Sequence, residues 1–213
     1  MTPDLLKLNA LVQANFNHLA ATYDEHAFLA QELAGRLLER CEDLKIKPGL
    51  IVDLGCGSGF VTRGLLKKFP RARILGLDFS QAMLKILLKQ KKSWWSKISA
   101  LNASVEALPL ANASVDLLTA NLVLPWCQNF PALFKEWQRV LKPQGKLIFS
   151  CFGPASFKEL AAAWEGIDCF QHVDPLPDLQ YWGDLLLAQG WKTPVMDVDS
   201  IQLEYASLNA LLK

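Results

Sequence analysis

The amino-acid sequence predicts an α/β fold in which helices cover both faces of a parallel sheet. Short apolar runs alternate with helical patterns between residues 50 and 150. The runs are bounded by turn residues, as at Pro48-Gly49 and at the glycines that follow residue 54. Runs of this length are typical of strands buried on both faces, and short connections between alternating elements favour a parallel order.

The predicted elements follow one another in chain order. Residues 1–48 form an N-terminal helical segment, and residues 49–213 form the main domain. Strands are predicted at 50–54, 73–77, 97–102, 115–120 and 146–150, with helices at 59–69, 80–91 and 130–141. Beyond residue 150 the pattern predicts helices at 157–167 and 178–189, a strand region at 191–205 and the start of a helix at 207.

Composition and charge exclude several classes of function. Apolar residues make up 51% of the 213 residues, enough for a large core. The net charge of +1 argues against a basic nucleic-acid-binding surface. We interpret the basic run 89–97, which contains Trp94 and Trp95, as a solvated helix end. The five cysteines contain no C-x-x-C pair, and we find neither a signal peptide nor a transmembrane run, so we expect a soluble cytoplasmic protein with reduced thiols.

The stretch Leu50–Phe60 joins a predicted strand to three alternating glycines, Gly55, Gly57 and Gly59. Glycine permits positive φ and lets the backbone approach a ligand closely, and the start of the next helix offers free N–H groups. A dinucleotide site would require a further glycine at position 60, where this chain has phenylalanine. The pattern D-x-G-x-G-x-G, which begins at Asp53, instead resembles the first signature of class I S-adenosylmethionine (SAM) methyltransferases.

A second acidic residue supports a nucleoside site. Asp78 follows the second predicted strand, about 20 positions after the glycines, where a carboxylate can bind both hydroxyls of a ribose. The alternative is a glycine turn that only closes a βα unit, with Asp78 capping the next helix. The order of strand, turn, helix, strand and acid favours the nucleoside site.

Other candidates lie at the predicted carboxyl ends of the strands, where parallel α/β sheets bind ligands. Gly55 and Gly57 leave room for the methionine part of SAM. By position, Phe79 or Met83 would pack on adenine, Ser104 and Val105 would lie at its edge, and Asn121 and Leu122 would lie near the amino group and the sulfonium. Core packing is the alternative for the first pair, and simple capping for Ser104 and Asn121.

Longer motifs extend beyond this core. They are NFNHLAATYDEHAFLAQELAGRLLER, IVDLGCGSGFVTRGL, LDFSQAML, VEALPLANASVDLLTANLVLPWC, RVLKPQGKLIFSCFGP and HVD. On these motifs the sequence resembles the malonyl-[acyl-carrier-protein] O-methyltransferases of biotin synthesis. The resemblance implies a Rossmann-like sheet and N-terminal helices that close over SAM, with Tyr23 as a lid contact. The cofactor-binding candidates are then Tyr23, Asp53, Gly55, Cys56, Gly57, Gly59, Asp78, Phe79, Met83, Ser104, Val105, Asn121 and Leu122.

The sequence departs from that family in three places. Ser104 stands where the family usually has an acidic residue, and Pro125 stands where it usually has glutamine. The family also continues for some tens of residues beyond position 213, including the last strand of its sheet. We therefore expect a main domain that is truncated at its C-terminus and lacks that strand, with residues 191–205 mispaired, paired with another molecule or held only by helices.

The resemblance implies methyl transfer from SAM to the free carboxylate of a malonyl thioester, on a carrier protein or on coenzyme A. A carboxylate is already ionised at neutral pH, so the reaction needs alignment rather than a general base. A cation is expected near the acceptor, and the candidates are Arg63, Lys158 and His172. We expect neither a nucleic-acid nor a membrane partner, and the oligomeric state is open.

Two alternatives remain open. One is a SAM-dependent methyltransferase of another small molecule, such as a quinone-ring or hydroxyl acceptor; a hydroxyl would require a base, and none stands out. The other is a SAM-binding protein that has lost catalysis. His18, His26 and His172 have no metal-ligand spacing, so no metal site is predicted.

Overall fold

The structure is a computed structural model that describes residues 3–90 and 97–207, with side chains from residue 10 onward. The interpretation of Trp94 and Trp95, and the helix predicted beyond residue 207, concern residues outside the described ones. The chain divides into two compact units, Met1–Cys151 and Phe152–Lys213. The sequence predicts a different division, into an N-terminal helical lid (1–48) and a main domain (49–213), and that division remains a prediction.

The first unit is built around a five-stranded parallel sheet. Its strands are β1 (Leu50–Leu54), β2 (Arg73–Asp78), β3 (Ile98–Asn102), β4 (Val115–Asn121) and β5 (Leu141–Ser150). They lie in the order β3-β2-β1-β4-β5, and all four neighbouring pairs are parallel. The predicted α/β class and the five predicted strands are confirmed.

Helices precede, connect and follow the strands. They are α1 (Pro3–Leu19), α2 (Tyr23–His26), α3 (Phe28–Asp43), α4 (Phe60–Lys68), α5 (Gln81–Lys89), α6 (Phe130–Val140), α7 (Lys158–Trp164) and α8 (Leu179–Ala188). A short 3₁₀ turn, Leu124–Trp126, follows β4. No helix in the described ranges is long and apolar enough to cross a membrane.

β1 lies in the middle of the sheet because its residues are apolar on both faces. Ile51, Val52 and Leu54 are fully buried. Ile51 pairs with Ile74 of β2 on one side and with Leu117 of β4 on the other. The loop that follows β1 therefore leaves the sheet between its two neighbours, which is the usual place for a ligand in such folds.

β5 contains an irregularity where the sequence predicts a turn. Leu141 pairs with Val115, but the next pair joins Lys146 to Leu117, so residues 142–145 protrude from the ladder. Gln144 has a positive φ of 68° there. The regular part of the strand begins at Lys146, as predicted.

α3 packs closely on α4 at Gly64. A Cβ at this glycine would lie 2.2 Å from Cδ1 of Leu38. Leu37, Leu38 and Cys41 are buried on the same side of α3. The N-terminal helical segment is therefore anchored to the first unit by α3.

The strand predicted at 191–205 is wrong. The segment has no regular secondary structure, and Val195 and Val198 are 94% and 71% exposed. Its apolar spacing matched a strand, but no described strand pairs with it. Met196 instead lies against α8, since its Cε is 3.1 Å from where a Cβ of Gly183 would stand. The described strands form a five-stranded sheet.

Candidate functional site

The loop after β1 has the backbone conformation that its glycines suggested. Gly55, Gly57 and Gly59 have φ of 63°, 52° and 92°, which side chains of L-residues rarely adopt. A Cβ at Gly55 would lie 2.6 Å from Cγ2 of Val123. At Gly57 a Cβ would meet only the ring of Tyr23, at 3.9 Å. The loop is therefore packed tightly at its first glycine and accessible at its second.

Asp53 lies beneath this loop and is 1% exposed. Its Oδ2 accepts a hydrogen bond from Thr62 Oγ1 of α4 at 2.6 Å, and its Oδ1 accepts one from Thr119 Oγ1 of β4 at 3.0 Å. Burial raises the pKa of Asp53 to about 7, although the two hydroxyl donors act in the opposite direction. The carboxyl group thus ties β1 to α4 and β4 underneath the loop.

Asp78 connects the end of β2 to the glycine loop. Its Oδ2 accepts from the backbone N–H of Gly57 at 2.8 Å, and its Oδ1 accepts from the N–H of Ser80 at 2.7 Å. Burial raises the pKa of Asp78, while these two backbone donors lower it. Asp78 is 5% exposed, and each of its carboxylate oxygens has the capacity to accept a second hydrogen bond.

Tyr23 and Asp24 of α2 cover the loop. Burial raises the pKa of Tyr23, and the nearby carboxylates of Asp78 and Asp24 raise it further. Asp24 Oδ1 accepts from Ser58 Oγ at 2.5 Å. The contact between Asp24 and Ser58 was not predicted, because it joins residues 34 apart through tertiary packing.

Four aromatic rings, which we call the aromatic cluster, stand at the ends of β2 and β4: Phe16, Tyr23, Phe79 and Trp126. Phe16 is central, with ring centroids 5.7 Å from Phe79, 5.1 Å from Trp126 and 6.3 Å from Tyr23. The pairs with Phe79 and Trp126 are edge-on, a geometry that stabilises aromatic pairs beyond area burial alone, and the pair with Tyr23 is tilted. Trp126 is nevertheless 51% exposed. Phe16 and Trp126 were assigned no site role from the sequence, where only their place in longer motifs marked them.

Met83 and Cys56 are core residues in this structure. Met83 is 1% exposed, and its backbone N–H donates to Ser80 Oγ at 3.3 Å. Cys56 is 8% exposed, and its N–H donates to the carbonyl of Leu77 at 3.0 Å. The alternative of core packing therefore describes Met83 well, while Phe79 is only partly buried.

The predicted adenine-edge residues lie in the loop after β3. Ser104 is exposed, and its Oγ accepts from the N–H of Glu106 at 3.2 Å. The carbonyl of Val105 accepts from Trp137 Nε1 of α6 at 3.0 Å. Ser104 thus closes a local turn, in agreement with the alternative of simple capping. α6 anchors the loop that carries both residues.

Asn121 and Leu122 lie where β4 ends. The Asn121 amide donates to the carbonyl of Ala30 at 2.9 Å, and its oxygen accepts from Ser150 Oγ at 2.7 Å. Leu122 has a φ of 55°, and its N–H donates to the carbonyl of Ser150 at 3.2 Å. Asn121 thus bridges α3 and β5, an arrangement that neither the ligand role nor simple capping anticipated.

The three candidate cations have different surroundings. Arg63 is partly buried and donates from Nη1 to the carbonyl of Ser58 at 2.8 Å; burial lowers the pKa of Arg63, and Asp24 raises it. In the second unit, the exposed Lys158 lies 3.8 Å from Glu159. His172 bonds Asp168 through Nε2 at 2.9 Å and stacks on Trp164 with centroids 3.9 Å apart. Of the three, Arg63 is the one that contacts the glycine loop within its own unit.

Comparison with known proteins gives the class first. Residues 52–149 match the family described as a methyltransferase domain. This range contains the glycine loop, Asp78 and the predicted residues after β3 and β4. A SAM-dependent methyltransferase from Thermotoga maritima has a TM-score of 0.61 at 21% identity, covering 82% of this chain and 79% of its own. The glycine loop therefore lies within a match to a methyltransferase domain, in a fold that the Thermotoga maritima protein shares.

Comparison over the whole chain is more specific. The malonyl-[acyl-carrier protein] O-methyltransferase of Gallionella capsiferriformans is 38% identical over 219 residues, which cover 100% of this chain and 75% of that protein. The chain belongs to the malonyl-[acyl-carrier protein] O-methyltransferase family. A Haloferax volcanii protein solved with the Trm112 methyltransferase activator shares the fold, with a TM-score of 0.65 at 22% identity over 82% of this chain and 75% of its own.

Proposed function

We propose that this protein transfers the methyl group of SAM to the free carboxylate of malonyl-[acyl-carrier protein], as a step of biotin synthesis. The observation that carries the proposal is the 38% identity to a protein of that name along the whole chain. Malonyl-coenzyme A, which presents the same carboxylate on a different thioester, is the second acceptor we propose. The expected cytoplasmic location remains a prediction.

The residues of the loop fit the methyl donor. The backbone is accessible at Gly57, where a side chain would fill the space below Tyr23. Asp78 has an acceptor position left on each oxygen for a ribose diol, and Phe79 presents a partly buried ring beside it. We propose that these residues, with Gly55 and the loop after β3, hold the donor, and that the helices within residues 1–48 serve as its lid.

The chemistry requires little of the protein beyond alignment. When bound, SAM would supply an electrophilic methyl carbon, to which an acceptor carboxylate oxygen would bond as the carbon–sulfur bond breaks and leaves its electron pair on sulfur. No proton moves, so no general base is needed. The chain's task is to hold the two reactants in line and exclude water, and positioning of this kind accounts for large rate factors.

We propose Arg63 as the first candidate to hold the acceptor carboxylate, since it contacts the glycine loop through the carbonyl of Ser58. Its guanidinium offers further donors beyond the one used there. Asp24 offsets part of its charge. Lys158 and His172 remain candidates within the second unit.

Incubation with methyl-labelled SAM tests the proposal. Malonyl-carrier protein should acquire a base-labile methyl ester, and acetyl-carrier protein, which lacks the free carboxylate, should acquire none. Labelling of malonyl-coenzyme A at a similar kcat/KM would extend the acceptor to both thioesters. Binding of SAM without transfer to either malonyl thioester would contradict the proposal and favour the non-catalytic alternative.

A further inference from the structure

One face of α1 contacts the turn that joins β2 to α5. Gln13, Phe16 and Asn17, spaced three and four positions apart, lie on this face, which we call the α1 contact face. Gln13 Nε2 donates to the carbonyl of Phe79 at 2.6 Å, and Phe16 packs edge-on against the ring of Phe79. The turn they contact carries Phe79 and directly follows Asp78, and both residues are proposed donor ligands.

Asn17, on the same face, forms hydrogen bonds with the first turn of α5. Its Oδ1 accepts from Ser80 Oγ at 2.8 Å and from the N–H of Ala82 at 3.1 Å. Ser80 is the N-cap of α5, and its own Oγ accepts from the N–H of Met83. The first turn of α5 is therefore capped twice, by its local serine and by an asparagine 63 residues earlier in the chain.

This second cap is linked to Asp78 through Ser80. The N–H of Ser80 donates to Asp78 Oδ1, while the N–H of Gly57 donates to Asp78 Oδ2. Asn17 holds Ser80, Ser80 orients Asp78, and Asp78 also holds the accessible glycine of the loop. Displacing Ser80 would thus move the carboxylate relative to the glycine loop without removing either.

We propose that Asn17 is a positioning residue for the methyl donor, which acts through Ser80 to set the orientation of Asp78. The inference rests on the proposed function, since it takes Asp78 as a ligand of the donor's ribose. Asn17→Leu should weaken donor binding about tenfold, because it leaves two donors of the α5 cap without their acceptor. The KM for SAM should rise by the same factor, while kcat and the KM for the malonyl acceptor stay unchanged.

The chain offers matched controls. Asn15 is the same residue type in the same helix, is exposed and lies two positions away, hence on a different face. Asn15→Leu should bind the donor like the wild type. Asn17→Asp keeps an acceptor oxygen and adds negative charge at the start of α5, so it should retain wild-type affinity.

Calorimetry with S-adenosylhomocysteine on the full chain tests the inference, using the wild type, Asn17→Leu, Asn17→Asp, Asn15→Leu, Ser80→Ala and the double variant Asn17→Leu/Ser80→Ala. Because the effect is routed through Ser80, Asn17→Leu should cost far less affinity in the Ser80→Ala background than alone. Ser80→Ala leaves α1 and the N–H that donates to Asp78 in place, and removes the hydroxyl that donates to Asn17 together with the local cap to Met83. Where Asn17→Leu fails to fold, a loss of affinity in Ser80→Ala that Asn17→Asp does not share still tests the link.

The possible outcomes distinguish a failure of the proposed role of Asn17 from a failure of the proposed function. Wild-type affinity in Asn17→Leu, or losses that add fully in the double variant, would overturn the role of Asn17 and leave the proposed function standing. Equal losses in Asn17→Leu and Asn17→Asp would likewise overturn it. A wild-type protein that binds neither S-adenosylhomocysteine nor SAM would overturn the proposed function and this inference with it.

Discussion

The two units of this chain bury their apolar residues to very different degrees. In the first, the central strand β1 has three side chains with no exposed surface, and β4 contributes Leu117 and Leu118 in the same state. In the second, Trp182 and Leu186 of α8 are the buried apolar side chains among residues 152–207, while Ile167, Phe170 and Val195 are more than half exposed. The donor site proposed here thus lies in a unit with a well-buried core, whereas two of the three acceptor candidates lie in a lightly packed one.

This difference in burial applies to the proposed binding of the methyl donor and of the acceptor. The proposed donor site consists of the glycine loop and the buried carboxylate of Asp78, whose positions depend on the sheet. Of the acceptor candidates, Arg63 is partly buried in the first unit, whereas Lys158 and His172 lie in the second, where few apolar side chains are buried. Matched substitutions, one in each unit, can test this difference.

The largest contrast is expected in stability. Leu117→Ala removes a fully buried side chain from β4 and should lower the free energy of unfolding by about 2–5 kcal/mol. Leu187→Ala, at a position that is 58% exposed in α8, should change it by less than about 0.5 kcal/mol. Urea denaturation measures both. Equal losses would show that the second unit has a core comparable to the first.

A second pair separates backbone strain from ligand access. Gly57 and Gly166 both have positive φ, of 52° and 82°, so alanine at either costs about 1 kcal/mol of stability. Only Gly57→Ala places a methyl group beneath Tyr23, and it should weaken SAM binding about a hundredfold, the order expected for a steric block worth about 2.7 kcal/mol. Calorimetry gives the affinity and thermal unfolding gives the strain. Normal binding by Gly57→Ala would contradict the proposed donor site.

A third pair, Asp53 and Asp168, concerns the pH dependence of stability. Burial raises the pKa of Asp53 from 3.8 to about 7 in the folded state. The unfolded chain therefore releases this proton at lower pH, so the stability from this group is full below the unfolded pKa and is lost as pH rises toward about 7. Between about pH 5.5 and pH 8 the loss should be about 2 kcal/mol, and Asp53→Asn should remove it.

Asp168 of the second unit should behave in the opposite sense. The N–H of Phe170 and the side chain of His172 hold the pKa of Asp168 below its ordinary value. Its contribution is present above the unfolded pKa and fades as pH falls, so Asp168→Asn should alter only the acidic limb. Unfolding curves across the pH range distinguish the two. An Asp53→Asn variant with an unchanged slope between about pH 5.5 and 8 would refute the burial argument.

The smallest expected contrast is in acceptor affinity. Arg63→Gln should raise the KM for malonyl-carrier protein about tenfold, a typical loss for one charge-assisted contact. Lys158→Gln should change it less than about twofold, because an exposed side chain with one weak ion pair contributes little. Steady-state kinetics at saturating SAM measure both. A larger effect at Lys158 would move the acceptor cation to the second unit.

Much of the donor side could be predicted from local pattern. The β1 strand, the three left-handed glycines and the place of Asp78 at the end of β2 all follow from residues close together in the chain. The strand predicted at 191–205 failed for a physical reason: Val195 and Val198 have strand spacing, but a strand requires a neighbour with which to share hydrogen bonds. Asn121 was placed correctly at the end of β4, yet its amide bonds Ala30, 91 residues away.

By itself, the sequence determined the alternation of strands and helices, the glycine loop after β1 and the position of Asp78 at the end of β2. These features depend on periodicity and turn chemistry, which act over a few residues. Only the tertiary structure decided that Asn17 would cap α5, that Phe16 would join Phe79 to Trp126, and that Asp53 would be sealed beneath the loop. Those arrangements arise from packing between elements distant in the chain, where burial and hydrogen-bond satisfaction select partners that no local spacing reveals.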